Sequence, residues 1–132
     1  IILPLSVAGG SLLDETKSSP VVPGRNLAML AAAVSLSKEK GAERVVIGVT
    51  AEDQELFHDC RPEFIRAFSE LTASLSLPPV LAPLIGRSKR EVYALARSLG
   101  VDPEETWSCY FPDEDKPCGQ CLACKVRAKG QA

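Results

Sequence analysis

The stretch RVVIGVTAEDQELFHDCRPEF, residues 44–64, combines three patterns that together indicate an α/β fold. It opens on a β-branched run from Arg44 to Val49, which predicts a fully buried parallel strand. A polar, acid-rich loop follows from Thr50 to Arg61, at the strand's carboxyl end, where open α/β sheets bind their ligands. Pro62 then predicts the first position of a helix that runs to about Leu75.

The segments on either side of this stretch repeat the alternation of strand and helix. Apolar residues at helical spacing predict a helix from about Asn26 to Lys40, with Gly41 after its end. Residues 80–85 are a further candidate strand, and Ser88 with Glu91 forms a capping box for a helix that ends at Gly100. We therefore predict an α/β protein with a parallel sheet flanked by helices.

The N-terminal residues are apolar and the chain opens on Ile1 rather than Met. Ile1 to Val7 predicts a strand, and the glycines, serines and prolines of residues 8–23 predict a loop. Because the chain begins as if in the middle of a strand, we expect a fragment or a processed chain.

Composition narrows the classes of function. The formal net charge of −2 argues against a broad nucleic-acid-binding surface, which needs a basic excess. No run of about 18 apolar residues is present, so no membrane-spanning helix is expected. No basic segment precedes the apolar N-terminus, so secretion is not indicated, and a cytoplasmic location is the expectation.

Four of the five cysteines are concentrated near the C-terminus, with the spacing Cys109-x8-Cys118-x2-Cys121-x2-Cys124. Four thiolates satisfy a tetrahedral Zn²⁺ ion and leave no open position, so the zinc would be structural rather than catalytic. An iron–sulfur cluster is the rival interpretation, although the fourth cysteine and proline of the bacterial ferredoxin run are absent downstream. A third interpretation is that the four cysteines are buried thiols that bind no metal.

The periodic pattern ends at Gly100, which suggests two regions. We predict a partial α/β nucleotide-binding domain over residues 1–100 and a zinc-binding C-terminal appendage over residues 101–132. The appendage contains few apolar residues, so it needs a metal to hold its shape.

Two further groups of residues are candidate ligand-binding positions. Arg25 and Asn26 begin a helix, and an anionic phosphate at that helix N-terminus would explain the arginine there, although a solvent-exposed arginine is the alternative. Cys60 is either a small buried apolar residue or a pocket residue beside Asp59 and Arg61.

Five stretches together resemble the 7-cyano-7-deazaguanine synthases, the preQ0 synthases of queuosine biosynthesis. They are VPGRN (22–26), VIGVTAED (46–53), DCRPEF (59–64), PLIGRSKREV (83–92), and TWSCY with PCGQCLACKVR (106–110 and 117–127). The combination of DCRPEF with TWSCY and the cysteine run is highly specific, and the resemblance covers nearly the whole chain.

The resemblance implies an adenine nucleotide α-hydrolase-like fold and an ATP-dependent carbon–nitrogen ligase. Members convert 7-carboxy-7-deazaguanine, ammonia and ATP, the nucleotide being used with Mg²⁺, to the 7-cyano product. They are commonly homodimers. They also bind one zinc ion through four cysteines, which correspond here to Cys109, Cys118, Cys121 and Cys124.

The same resemblance favours nucleotide binding by Arg25 and Asn26, and a deazaguanine pocket in the loop after the second strand. An acid there accepts hydrogen bonds from the guanine-like N–H groups, and an arginine pairs with the 7-carboxylate. A solvated acidic loop is the alternative. The pocket candidates are Glu52, Asp53, Asp59, Cys60 and Arg61.

One departure is the absence of the family's pyrophosphate-binding loop, SGGxDS, from these 132 residues. We therefore expect no ATP-dependent turnover by this chain alone. A catalytically inactive zinc-bearing binding module, or a split family member, is the alternative function. A sulfur-transfer or tRNA-modifying relative is disfavoured by the net charge and by cysteines committed to metal.

Overall fold

A computed structural model describes residues 22–131 of the protein. The strand predicted for Ile1 to Val7 and nearly all of the predicted loop over residues 8–23 lie outside these residues. The described elements are α1 (Arg25–Glu39), β1 (Val45–Val46), α2 (Asp53–Leu56), α3 (Pro62–Ser74), β2 (Val80–Leu81), α4 (Lys89–Ser98) and α5 (Leu122–Gln131), with 3-10 turns at His58–Cys60 and Pro103–Glu105.

The described chain divides into two compact units, one formed by Gly24–Ser88 and the other containing residues 89–131. The sequence placed a boundary near Gly100, whereas the structure groups α4 with the cysteine-bearing segment. The assignment of residues 1–100 and 101–132 as functional domains stays a prediction.

The Gly24–Ser88 unit is built around an apolar core that helices α1 and α3 share with β2. Each fully buried aliphatic or aromatic side chain contributes on the order of 1.5–3 kcal/mol to folding through removal of apolar surface from water. Because burial of these side chains is favourable, the apolar faces of α1 and α3 pack against the sheet. The buried members are Leu30, Val34, Ile65, Phe68 and Val80.

Strands β1 and β2 pair in parallel, with Val45 opposite Val80 and Val46 opposite Leu81, so the predicted parallel sheet is confirmed. The strands are only two residues long, much shorter than predicted. The expectation of a fully buried strand is wrong, since Val46 is 63% exposed. Side chains alternate along a strand, so Val45 packs with the core while Val46 points to the opposite face.

Helix boundaries agree with the sequence pattern to within about two residues, the usual uncertainty of a helix end. Helix α1 ends one residue before Lys40, whose N–H donates to the Leu36 carbonyl oxygen at 3.0 Å, and Gly41 follows. Pro62 occupies the first turn of α3, as predicted. Helix α4 begins directly after Ser88 and ends before Gly100.

The unit that contains residues 89–131 pairs α4 with α5, a helix that the sequence pattern did not predict. Gly130 permits the close approach of these helices, because a Cβ atom there would lie 2.8 Å from Lys89 and 2.9 Å from the Tyr93 ring. The segment after Gly100, where the periodic apolar pattern ends, therefore still contains a helix at Leu122–Gln131. Among residues 22–131, no helix has the length and apolar character needed to cross a membrane.

Candidate metal centre and ligand-binding residues

The four C-terminal cysteines converge on one point of the structure. The Sγ atoms of Cys109, Cys118, Cys121 and Cys124 all lie within 4.8 Å of one another, and all but Cys118 are buried. A tetrahedral zinc ion with bonds of about 2.3 Å places its sulfurs roughly 3.8 Å apart. The cluster therefore has the donors and the spacing to hold one metal ion.

Local backbone structure positions three of these sulfurs. Gly119 has a φ of +69°, a left-handed conformation that glycine adopts without strain and that turns the chain between Cys118 and Cys121. The Cys121 N–H donates to the Cys118 Sγ at 3.3 Å, and Cys124 lies in the first turn of α5. A helix N-terminus favours negative charge, so it suits a thiolate ligand.

The thiols of the cluster differ in acidity because their surroundings differ. Hydrogen bonds from the backbone N–H groups of Cys121 and Gln120 lower the pKa of Cys118 to about 6. Burial and the neighbouring Cys121 and Cys109 sulfurs raise the pKa of Cys124 to about 12. Without a metal, these thiols therefore do not all lose their protons at the same pH. A divalent cation replaces the protons and stabilises all four thiolates together.

A second group of polar residues connects the start of α1 with the turn at His58–Cys60. The backbone N–H of Asn26 donates to the Asp59 Oδ2 at 2.9 Å. Its side-chain Nδ2 donates to the Asp59 carbonyl oxygen at 3.3 Å and to the Cys60 Sγ at 3.2 Å. A residue predicted to bind ATP thus contacts two residues predicted to bind the deazaguanine.

The Asp59 carboxylate acts as the cap of helix α1. Gly24, the N-cap residue, has no side chain to satisfy the first backbone N–H groups, and Asp59 supplies an acceptor from 33 residues further along the chain. The negative charge also interacts favourably with the positive end of the helix dipole. A carboxylate therefore already binds the Asn26 N–H group, where the sequence suggested a phosphate.

The loop after β1 holds two further candidate residues in fixed orientations. The Asp53 Oδ2 accepts from the Thr50 N–H at 2.7 Å and from the Thr50 hydroxyl at 2.9 Å. The Arg61 Nε donates to the Gln54 carbonyl oxygen at 3.1 Å. The terminal guanidinium nitrogens of Arg61 have no hydrogen-bond partner among residues 22–131, so they are available to a ligand.

The remaining candidates take different positions. Glu52 is half-buried and directly precedes α2. Cys60 is buried, and burial together with the charges of Asp53 and Asp59 raises its pKa to about 11, although the Asn26 hydrogen bond and the charge of Arg25 oppose the shift. A thiol with so high a pKa is neutral near pH 7, so Cys60 is unsuited to act as a nucleophile.

Sequence reasoning missed two residues that organise this loop. Thr50, which is buried, fixes the Asp53 carboxylate, and the Thr-x-x-Asp spacing was a visible signal of such a turn. Gln54 accepts from Arg61 and donates from its Nε2 to the carbonyl oxygen of Ile85, after β2. No sequence pattern marks a glutamine for this role.

Comparison with known proteins identifies relatives over nearly the whole chain. A family model described as queuosine biosynthesis protein QueC matches residues 5–132. A 7-cyano-7-deazaguanine synthase of Synechococcus sp. (strain CC9311) is 38% identical over 139 residues, covering 90% of this chain and 61% of the relative. A second protein of the same name is 40% identical over 134 residues, covering 96% of this chain. It comes from Leptospira interrogans (serogroup Icterohaemorrhagiae, serovar copenhageni, strain Fiocruz L1-130).

A third relative with the same name, from Gloeothece citriformis (strain PCC 7424), is 42% identical over 114 residues and 80% of this chain. The matched regions amount to 61%, 55% and 49% of the Synechococcus, Leptospira and Gloeothece proteins, respectively. The chain therefore spans about half to three fifths of the length of these curated relatives.

Proposed function

The chain belongs to the queuosine biosynthesis protein QueC family, and from that membership we propose that it takes part in the synthesis of 7-cyano-7-deazaguanine by ATP-dependent ligation. The substrates are 7-carboxy-7-deazaguanine, ammonia and ATP with Mg²⁺. The observation that carries the proposal is the meeting of Asn26 with Asp59 and Cys60, which lie in the segment that follows the carboxyl end of β1 in the chain. Parallel α/β sheets bind ligands at that edge.

The proposed reaction exchanges carboxylate oxygens for nitrogen in two stages. ATP converts the 7-carboxylate to its AMP ester with release of pyrophosphate, and ammonia then displaces AMP, which keeps the activated oxygen, to give the amide. A second ATP transfers AMP to the amide oxygen with release of pyrophosphate, and departure of AMP with that oxygen and loss of the two amide protons give the nitrile. Such chemistry depends on the positioning of charged groups and on their electrostatic stabilisation.

Arg61 and Asp53 are the residues we assign to the deazaguanine. The bond from Arg61 Nε to the Gln54 carbonyl oxygen fixes the guanidinium plane, and its terminal nitrogens can pair with the 7-carboxylate. The bonds from Thr50 hold one oxygen of Asp53, and its other oxygen can accept from a guanine-like N–H. Glu52 and Cys60 complete this assignment.

Arg25 is the residue we assign to the nucleotide phosphates. Asn26 uses its backbone N–H and its side-chain amide on Asp59 and Cys60, so it acts by positioning the loop beside Arg25 rather than by binding phosphate through those groups. Asp59 has the same positioning role. A homodimeric enzyme in the cytoplasm is part of the proposal and rests on the family resemblance alone.

Zinc is the metal we assign to Cys109, Cys118, Cys121 and Cys124. Four sulfurs within 4.8 Å of one another can surround a single ion, whereas a cluster of several irons needs its ligands farther apart. Zinc bound by four thiolates has no open position, so it stabilises the fold and does not enter the reaction.

The test joins this chain to a segment that carries SGGxDS from a longer relative, and measures pyrophosphate and the 7-cyano product. The 132 residues alone should give no turnover, because backbone N–H groups at a strand-to-helix turn are needed to hold the phosphates. The joined chain should be active. Turnover by the 132 residues alone would overturn the placement of the nucleotide, and a folded but inactive joined chain would favour a zinc-bearing binding module.

Arg61→Ala in the joined chain tests the substrate assignment. Loss of a charge-assisted hydrogen bond of about 1.5–3 kcal/mol predicts a decrease of roughly 10- to 150-fold in kcat/KM for the deazaguanine. The KM for ATP should not change. Arg66→Ala is the matched control, since Arg66 is an exposed arginine on α3. Equal losses for both substrates would contradict the assignment.

A further inference from the structure

Arg127 is a largely buried basic residue that lies near the four cysteines but is not one of the metal-ligand candidates. It lies in α5, three residues after Cys124, so both side chains share one face of the helix. The side chain is only 15% exposed. A long cation buried to this degree needs specific acceptors to offset its lost hydration.

The acceptors all belong to the segment that leads into Cys109. The Arg127 Nη1 lies 3.0 Å from both the carbonyl oxygen and the hydroxyl of Thr106, and 3.5 Å from the Ser108 hydroxyl. Its Nη2 donates to the Pro103 carbonyl oxygen and lies 3.8 Å from the Glu104 carboxylate. The rigid fork of donors in a guanidinium fits such a set, and an ammonium group does not.

Cys109 is the metal ligand that most needs this support. Local turns and the start of α5 position the other three cysteines, whereas eight residues separate Cys109 from Cys118. Its Sγ accepts from the Cys118 N–H at 3.3 Å, and the chain that leads into it is held by the contacts of Arg127 with Thr106 and Ser108. Within the same segment, the Trp107 Nε1 donates to the Cys109 carbonyl oxygen at 2.9 Å.

The opposite side of Arg127 packs on α4. Its Cζ lies 5.9 Å from the centre of the buried Tyr93 ring, in the range of a cation–π contact. Gly130, one turn further along α5, also lies against Tyr93. Arg127 therefore joins three parts of one unit: helix α4, helix α5 and the segment before Cys109.

We propose that Arg127 is the positioning residue that holds Cys109 in place for metal binding. The proposal rests on the assignment of zinc to the four cysteines. Residues that orient metal ligands without touching the metal typically change metal affinity by about 10- to 100-fold when they are replaced. Loss of Arg127 should weaken zinc binding to that degree through Cys109.

The experiment measures zinc affinity by competition with a chromogenic chelator in the 132-residue chain. Arg127→Ala should weaken affinity about 10- to 100-fold. Arg127→Lys keeps the charge but lacks the fork, so its affinity should lie between those of Arg127→Ala and the parent. Lys129→Ala is the matched control on α5, since Lys129 is exposed, and should leave the affinity within about twofold of the parent.

A double-mutant cycle separates positioning of Cys109 from general stabilisation. In a chain that carries Cys109→Ser, Arg127→Ala should weaken zinc binding by less than about twofold, because the ligand that Arg127 positions is already gone. Full additivity, or parental affinity in Arg127→Ala, would overturn the proposal. If Arg127→Ala does not fold, parental affinity in Arg127→Lys would do the same. A parent chain without zinc would overturn the zinc assignment itself.

Discussion

The two compact units differ in what fills their interiors. Gly24–Ser88 buries a cluster of aliphatic and aromatic side chains contributed by α1, α3 and β2. Residues 89–131 instead bury Tyr93, Pro103, Gly130 and three of the cluster cysteines. Apolar burial is independent of cofactors, whereas thiols with few apolar neighbours need a metal to offset the entropy of ordering the chain. We therefore expect the first unit to fold on its apolar core and the second to depend on a bound metal ion.

Removal of the metal should give the largest difference between the units. Structural zinc contributes an apparent 10–16 kcal/mol, about as much as the whole stability of a small domain. A strong chelator should therefore abolish the hydrogen-exchange protection of α5 and leave that of α1 and α3 in place. Cys109→Ser should act in the same direction, and Cys60→Ala is the matched control that should retain zinc. Unchanged protection of residues 89–131 after metal removal would show that this unit folds without a metal ion.

A core substitution should destabilise the Gly24–Ser88 unit and leave the unit that contains residues 89–131 unaffected. Phe68 is 6% exposed in α3 and contacts the Phe64 ring, with the ring centres 6.0 Å apart. Phe68→Ala should destabilise Gly24–Ser88 by about 3–5 kcal/mol, measured by denaturant unfolding, and leave the zinc content unchanged. Leu71→Ala, at a half-exposed position of the same helix, should cost under about 0.5 kcal/mol. Zinc loss in Phe68→Ala would mean that the two units do not fold independently.

Much of the Gly24–Ser88 unit was predictable because periodic apolar residues, Pro62 and Gly41 mark helix faces and ends in the sequence. The parallel pairing followed from the alternation of strands and helices. The short length of β1 and the exposure of Val46 were not predictable, since strand length depends on pairing partners rather than on local composition.

The cluster of four cysteines was predictable because two x2 intervals keep three sulfurs close together, and a tetrahedral metal site takes a fourth thiolate, here Cys109. The contacts of Asn26 with Asp59 were not, because they join residues 33 positions apart and depend on how α1 meets the turn after α2. Helix α5 was missed because its buried face consists of Cys124 and Gly130, which a search for apolar periodicity does not recognise.

A smaller effect is expected from the polar contacts within Gly24–Ser88. Asp59→Ala removes the cap of α1 and should lower the free energy of unfolding by about 0.5–2 kcal/mol, less than loss of a core ring. Asp59→Asn keeps an acceptor and should recover most of this loss. Thermal unfolding of the three chains measures the difference. A loss as large as that of Phe68→Ala would mean that polar contacts, rather than the apolar core, hold this unit together.

Metal content distinguishes a zinc-dependent C-terminal unit from one that folds without zinc. Elemental analysis of the purified, undamaged protein should find about one zinc ion per chain, and the solution should be colourless because zinc has a filled d shell. Iron accompanied by inorganic sulfide, or no bound metal in a chain whose α5 amides are protected from exchange, would contradict zinc dependence.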